Sequence, residues 1–173
     1  MLHLETPTAT ATLATMAQNF AIYNAWANER LIEWLTSKPK ACFDEEVASS
    51  FNTIKKTFQH IVDTQQFWLE VLQVRNEKIN FGNTEDAYEL FDYIIEQSNE
   101  LRDYILTLDD EALCEPVSFT TPWVSGTQSR FEYIMHVMNH STYHRGQIIT
   151  MGHHIDLHDA PMSDYGFYLA MRG

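Results

Sequence analysis

Cysteine is nearly absent from this chain, with only Cys42 and Cys114 among 173 residues. Two thiols so far apart make neither a disulfide framework nor a CxxC zinc or redox motif, and both are expected to be reduced. Glycine (6) and proline (5) are too few for a turn-dense β fold or a long disordered tail. Positive charge is short as well: 11 Lys and Arg stand against 24 Asp and Glu, for a net charge of −13. No basic stripe is available to displace counterions from phosphates, so nucleic acid is not an expected partner, and neither is an anionic lipid surface. No apolar run approaches the roughly 18 to 20 residues of a membrane span. Met1 to Thr15 reads as a Thr/Ala-rich lead-in rather than a secretory leader, with residues 1–12 flexible. A soluble, cytoplasmic protein is expected.

What is present is helical periodicity. Hydrophobic residues make up 45% of the chain, enough for the core of one domain spanning 1–173. From Leu13 to Ser37, Phe20, Tyr23, Trp26, Ala27, Leu31, Trp34 and Leu35 recur at helical steps, and Pro39 ends the pattern. Lys40 to Ser49 reads as a loop. A second helix is expected from an N-cap at Ser50 or Asn52, with Ile54, Phe58, Ile61, Val62, Phe67, Trp68, Val71 and Leu72 as its stripe. Gly82 and Asn83 break the chain, and Thr84, Glu85 and Asp86 signal a third helix carrying Phe91, Ile94, Leu101 and Ile105. Glu115 to Thr127, with Pro116, Val117, Phe119, Pro122, Trp123 and Gly126, predicts a long connection holding a short hairpin. Ser129 and Glu132 are spaced as a capping box before a fourth helix, whose stripe includes Tyr133, Ile134, Val137, Met138, Tyr143, Ile148 and Met151 and which runs to Gly152. A short terminal helix is expected over Ser163 to Met171. The predicted fold is all-α: a four-helix bundle with a longer connection before the fourth helix.

Histidine is the one residue type whose placement points to chemistry. Of eight, five fall between 136 and 154, and 136/140, 140/144 and 154/158 are each four apart. Scattered at random, eight histidines would give fewer than one such pair. Residues four apart on a helix share a face, so two imidazoles can reach one cation. Taken alone the row also suits a polar helix face. His60 is a candidate for a third ligand, because an unpaired imidazole beside an apolar stripe is costly to bury; by itself it also fits a hydrogen-bonded core residue.

The segment Asn139-His140-Ser141-Thr142-Tyr143-His144-Arg145-Gly146-Gln147 resembles the HxxxHRGQ stretch of DinB-family proteins. Tyr23 to Leu31 is similar to the family's first helix, and Phe58-Gln59-His60-Ile61 with Trp68 to its second. Gly152, Pro161, Asp164 and Tyr168 match its ending, so the resemblance covers Leu13 to Leu169. It implies a metal triad of His60, His140 and His144, with His136 in a packing role and His153, His154 and His158 extra, in a solvated loop. Three imidazoles leave a position open on a divalent ion, as in catalytic sites. The ion would be zinc or nickel foremost, with iron and manganese also compatible.

Characterised relatives include metal-dependent enzymes using low-molecular-weight thiols such as bacillithiol or mycothiol. The resemblance thus implies a thiol S-transferase type of reaction on a small-molecule substrate, in a homodimer. Hydrolysis by bound water, a non-catalytic stress-response binder, and a bundle whose dimer surface is the function are the other readings. Gln59, Asn139 and Gln147 are candidates to orient ligand imidazoles. Arg145 is expected in a structural ion pair, with a cofactor carboxylate as the alternative. Gly146 is expected to permit a close helix approach, and Trp26, Trp68 and Trp123 to lie in the core.

Overall fold

A computed structural model describes residues 11–75 and 84–172. The break read at Gly82 and Asn83, and the lead-in up to residue 10 with His3, lie outside the described residues. Four long helices form the bundle: α1 (Leu13–Thr36), α2 (Ile54–Leu72), α3 (Ala87–Leu106) and α5 (Arg130–His154). Between the last two come a short α4 (Asp110–Cys114), which the periodicity does not reveal, and strands β1 (Pro116–Thr120) and β2 (Ser125–Ser129). The strands pair antiparallel, Val117 opposite Gln128 and Phe119 opposite Gly126, as the predicted hairpin. Helix α6 (Tyr165–Arg172) closes the described chain.

Thr12 is no part of a flexible lead-in. Its side chain and that of Thr15 cap α1 reciprocally. The cap of helix α2 is Thr53, one residue after Asn52 and three after Ser50, because Thr53 has the extended backbone and accepts from Lys56 N, while the Ser50 hydroxyl serves Gln147. For α3 the cap is Asp86; Thr84 spends its hydroxyl on the Glu89 carboxylate and Asp86 N. Ser129 caps α5 through Glu132 N, at 3.3 Å. That helix continues two residues past Gly152, so His153 and His154 belong to its last turn rather than to a loop.

Each long helix packs on two neighbours, in the ring α1–α3–α2–α5. Buried side chains divide into two apolar halves. One holds Leu35, Phe43, Phe58, Phe91 and Ile148, the other Ala17, Leu69, Leu101, Val117 and Ile134. Between them, at mid-height, all four helices contribute buried polar groups: Asn24 and Asn28 from α1, Gln65 from α2, Gln97 and Ser98 from α3, Arg145 from α5. Asn24 donates to Gln65 Oε1 at 2.6 Å, Asn28 to Ser98 at 2.9 Å, and Gln65 to Gln97 Oε1 at 2.6 Å. Partnered in this way, the layer avoids most of the cost of burying amides without acceptors.

The contacts also fix helix directions. Phe58 meets Phe91 and Gln65 meets Gln97, so α2 and α3 run parallel. His60 meets His140 while Trp68 meets Tyr133, so α2 and α5 run antiparallel. That seam carries the candidate site. No helix among the described residues is long and apolar enough to cross a membrane.

Candidate metal centre

The α2–α5 seam brings His60, His140 and His144 together, one donor atom from each lying within 4.8 Å of the others. His60 Nε2 is 3.1 Å from His140 Nε2, which is 3.2 Å from His144 Nε2. His144 is buried and the other two are half-buried. Phe51, just before α2, stacks on His60 with ring centroids 4.1 Å apart and meets the edge of His144 at 5.6 Å. Phe51 carries no signal in sequence, because it precedes the helical stripe and one aromatic in a loop is unremarkable.

Hydrogen bonding sets the face His144 presents. Gln147 Oε1 lies 2.7 Å from His144 Nδ1, and a carbonyl oxygen only accepts, so Nδ1 carries the proton and Nε2 a lone pair. The Gln147 amide nitrogen donates to Ser50 Oγ (3.2 Å) and Tyr143 Oη (3.0 Å), consistent with that orientation. Burial lowers the pKa of all three histidines. His60 falls to about 4, with His144 adding charge repulsion to desolvation. His140 also falls to about 4, through desolvation and then repulsion from His144, His60 and His136. For His144 desolvation again leads, opposed by the Gln147 bond. At neutral pH these rings are uncharged, as metal ligands must be.

The three nitrogens fit a cation better than they fit one another. His140 Nε2 holds either one proton or one lone pair, so it can make one linear hydrogen bond, yet it has two ring-nitrogen neighbours. One contact is therefore always left with opposed lone pairs or a forked proton. A tetrahedral ion with bonds of about 2.0–2.1 Å would hold its ligand nitrogens about 3.3 Å apart, close to the spacing here. Three imidazoles suit zinc, nickel and other late divalent ions and are poor hosts for calcium or magnesium. His140 Nδ1 is buried with no hydrogen-bond partner among the described residues.

Other sequence readings divide. His136 packs edge-on to Trp68 at 5.0 Å, with its ring 5.8 Å from that of His140, and burial lowers its pKa. His153, His154 and His158 are exposed, and the first and last face each other at 5.6 Å. Gln59 donates to Asp63 at 2.8 Å, and Asn139 is exposed. Tyr143 is not a core residue: 61% of it is exposed, at the triad's rim, its ring 4.9 Å from His144.

Arg145 makes no ion pair among the described residues. It is buried and donates to Asn24 Oδ1 (2.6 Å), Asn28 Oδ1 (2.9 Å) and Thr142 Oγ1 (2.9 Å), with the Tyr23 ring 5.4 Å away. Gly146 allows no close approach, since a Cβ there meets nothing within 4 Å; the crowded helical glycine is Gly152, against Trp34. Trp68 is buried and Trp26 half-buried, but Trp123 is 89% exposed at the hairpin tip. Cys42 is half-buried and Cys114 exposed, both free.

Comparison with known proteins gives a consistent picture. A family model described as the DinB family matches residues 10–171. Protein DinB of Bacillus subtilis (strain 168) is 32% identical over 166 residues, covering 86% of this chain and 91% of the relative. The crystal structure of a DinB-like protein from Bacillus cereus ATCC 10987 superposes with a TM-score of 0.64 at 17% identity, covering 82% of this chain and 91% of that one. At that identity the likeness supports the fold.

Proposed function

The chain belongs to the DinB family, and on that premise we propose that it is a metal-dependent enzyme of the S-transferase type, joining a low-molecular-weight thiol to a small electrophilic molecule. One observation carries the reading: three uncharged imidazoles turn Nε2 toward a common point and leave the remaining coordination positions to outside ligands. His60, His140 and His144 would hold the ion, with zinc or nickel favoured by the donor set. A divalent ion held this way lowers the pKa of a thiol or water that binds it.

The chain's own residues do the rest. The bond from Gln147 Oε1 favours the His144 proton on Nδ1, which leaves Nε2 as the donor atom toward an ion. Phe51 walls one side and limits water around His60 and His144. Burial holds the rings neutral and stops protons competing for the nitrogens down to acidic pH. In the proposed reaction the thiol S–H gives its proton to solvent, sulfur bonds to the electrophilic carbon of the substrate, and the leaving group departs with its electron pair.

The test has two stages. Purified protein should carry one ion per chain, and a His60→Ala variant should carry none. Consumption of a generic electrophile such as 1-chloro-2,4-dinitrobenzene should then require both thiol and metal, and stop with chelator. An ion retained in full by His60→Ala, or thiol-dependent turnover indifferent to chelator, would contradict the reading.

A further inference from the structure

Beside the triad, one turn back along α5, lies a cleft of about 620 Å³ between the hairpin and the α2–α5 seam. Its walls include Phe67 and Trp68 from α2, Phe119 and Trp123 from the hairpin, and Tyr133 and His136 from α5. Among the described residues no lysine or arginine lines it, and Glu132 is its one carboxylate. Volume and lining suit a small molecule held mainly by apolar contact. The same lining excludes an anionic group, which would find no cation to pair with.

Three details show that this wall is built. Trp123 is 89% and Val124 58% exposed, two large apolar side chains held in water at the hairpin tip. The tip is nonetheless ordered: Thr121 Oγ1 accepts from Trp123 N at 3.3 Å and from Val124 N at 3.0 Å, and Thr121 N donates to Val124 O at 2.8 Å. At the base, Tyr133 stacks on Trp68 with centroids 4.8 Å apart. Its hydroxyl is buried and has no partner among the described residues. Strand β2 passes close to it, since a Cβ on Gly126 would sit 3.4 Å from Tyr133 Oη. A buried hydroxyl without a bond is a cost that a bound molecule carrying a polar atom can recover.

The cleft is also within reach of the triad. His136 joins the two, its ring lying against Trp68 on one side and 5.8 Å from His140 on the other. Along α2, Phe67 follows His60 by seven residues, a rise of about 10 Å. A molecule of one or two fused rings with a reactive substituent spans that distance.

We propose that this cleft is the substrate subsite of the metal centre, and that it takes the uncharged aromatic part of an electrophile whose reacting carbon extends past His136 to the triad. The inference rests on the reading of the triad as a metal site. It narrows the substrate class to apolar aromatic compounds, with Phe67, Phe119 and the exposed ring of Trp123 supplying the contact.

The test uses the uncharged fluorophore N-phenyl-1-naphthylamine, titrated into full-length wild-type protein and into Trp123→Ala and Val124→Asp variants. Both substitutions lie at exposed positions, so the fold should survive, as circular dichroism would verify. Wild-type protein should bind one equivalent, and each variant should bind roughly tenfold more weakly. His60→Ala should bind the probe as wild type does, because that ring does not line the cleft. Nickel, a short-range quencher, should then dim bound probe in wild type and not in His60→Ala.

No saturable binding to wild type, or two tip variants that bind as tightly as wild type, would overturn the subsite while leaving the metal centre standing. Nickel that binds stoichiometrically without quenching would also overturn it, by separating cleft from triad. Nickel that does not bind at all would remove the metal reading and this proposal with it, an outcome distinct from the others.

Discussion

Gln147 is the residue on which the triad's geometry turns. It makes one bond to His144, and it anchors itself through Ser50 and Tyr143. Partners of this kind are worth roughly 10–100-fold in metal affinity. Gln147→Leu should weaken metal binding by that order while leaving the thermal midpoint of the metal-free protein within a few degrees of wild type. Competition against a chromophoric chelator reads the first, and a melting curve the second. Unchanged affinity would mean that packing alone orients His144.

Acid stability follows from the same burial. His60 and His140 hold folded pKa values of about 4, below the ordinary 6.5. Between those values the unfolded chain binds more protons than the folded one, so stability present above pH 6.5 is lost as pH falls toward 4. Metal-free wild type should therefore lose more of its melting temperature between pH 7 and about 4.5 than a His60→Gln, His140→Gln double variant does. Asp159 cannot mimic this, since Lys38 and Trp34 hold its pKa near 2 and its effect belongs to a more acidic window. Parallel pH profiles for the two proteins would refute the assignment.

At the scale of single elements, α5 carries two glycines of opposite meaning. A Cβ on Gly152 would stand 2.7 Å from Trp34 Cη2, and that indole is held in place by its bond to Asp159 at 2.9 Å. Gly152→Ala should cost about 1–3 kcal/mol by overpacking. A Cβ on Gly146 meets nothing, so Gly146→Ala should stabilise by up to about 1 kcal/mol through helix propensity. Denaturant midpoints measure both, and equal signs would contradict the contrast.

The pair also shows what the sequence makes legible. Period-3.6 stripes encode burial, which is why Leu31, Phe58, Ile94 and Ile148 were placed in the core. The i, i+4 row on α5 and the lone histidine on α2 leave a polar face or a metal site open, and it is the family resemblance that singles out His60, His140 and His144. Spacing does not encode which neighbour stands opposite a glycine, so Gly146 was taken for the crowded one. Nor does it encode where a hairpin points, which left Trp123 assigned to the core. Tyr143 sits at a stripe position, yet its side chain is exposed at the triad's rim, and only tertiary packing distinguishes rim from core. Helix α4 is five residues long, too short for a periodic signal.

For the molecule as a whole, the unusual feature is a cation in the middle of an acidic protein. Arg145 is 2% exposed and pairs with no carboxylate among the described residues, in a chain of net charge −13. Desolvation lowers its pKa, although a guanidinium stays charged in proteins. Its stabilisation comes from the amide oxygens of Asn24 and Asn28, the Thr142 hydroxyl and the neighbouring Tyr23. Because Asn24 also donates to Gln65, losing it both strands the cation and loosens the polar layer that registers all four helices. Asn24→Ala should cost about 1–3 kcal/mol, toward the upper end because the group left short of a partner is charged. In an Arg145→Met background the same change should cost distinctly less, since no buried charge remains to be stranded. The double-mutant cycle measured by urea unfolding isolates that difference. Additive losses would mean that Arg145 is held by Asn28, Thr142 and Tyr23 without help from Asn24, and that the layer acts through its amides alone.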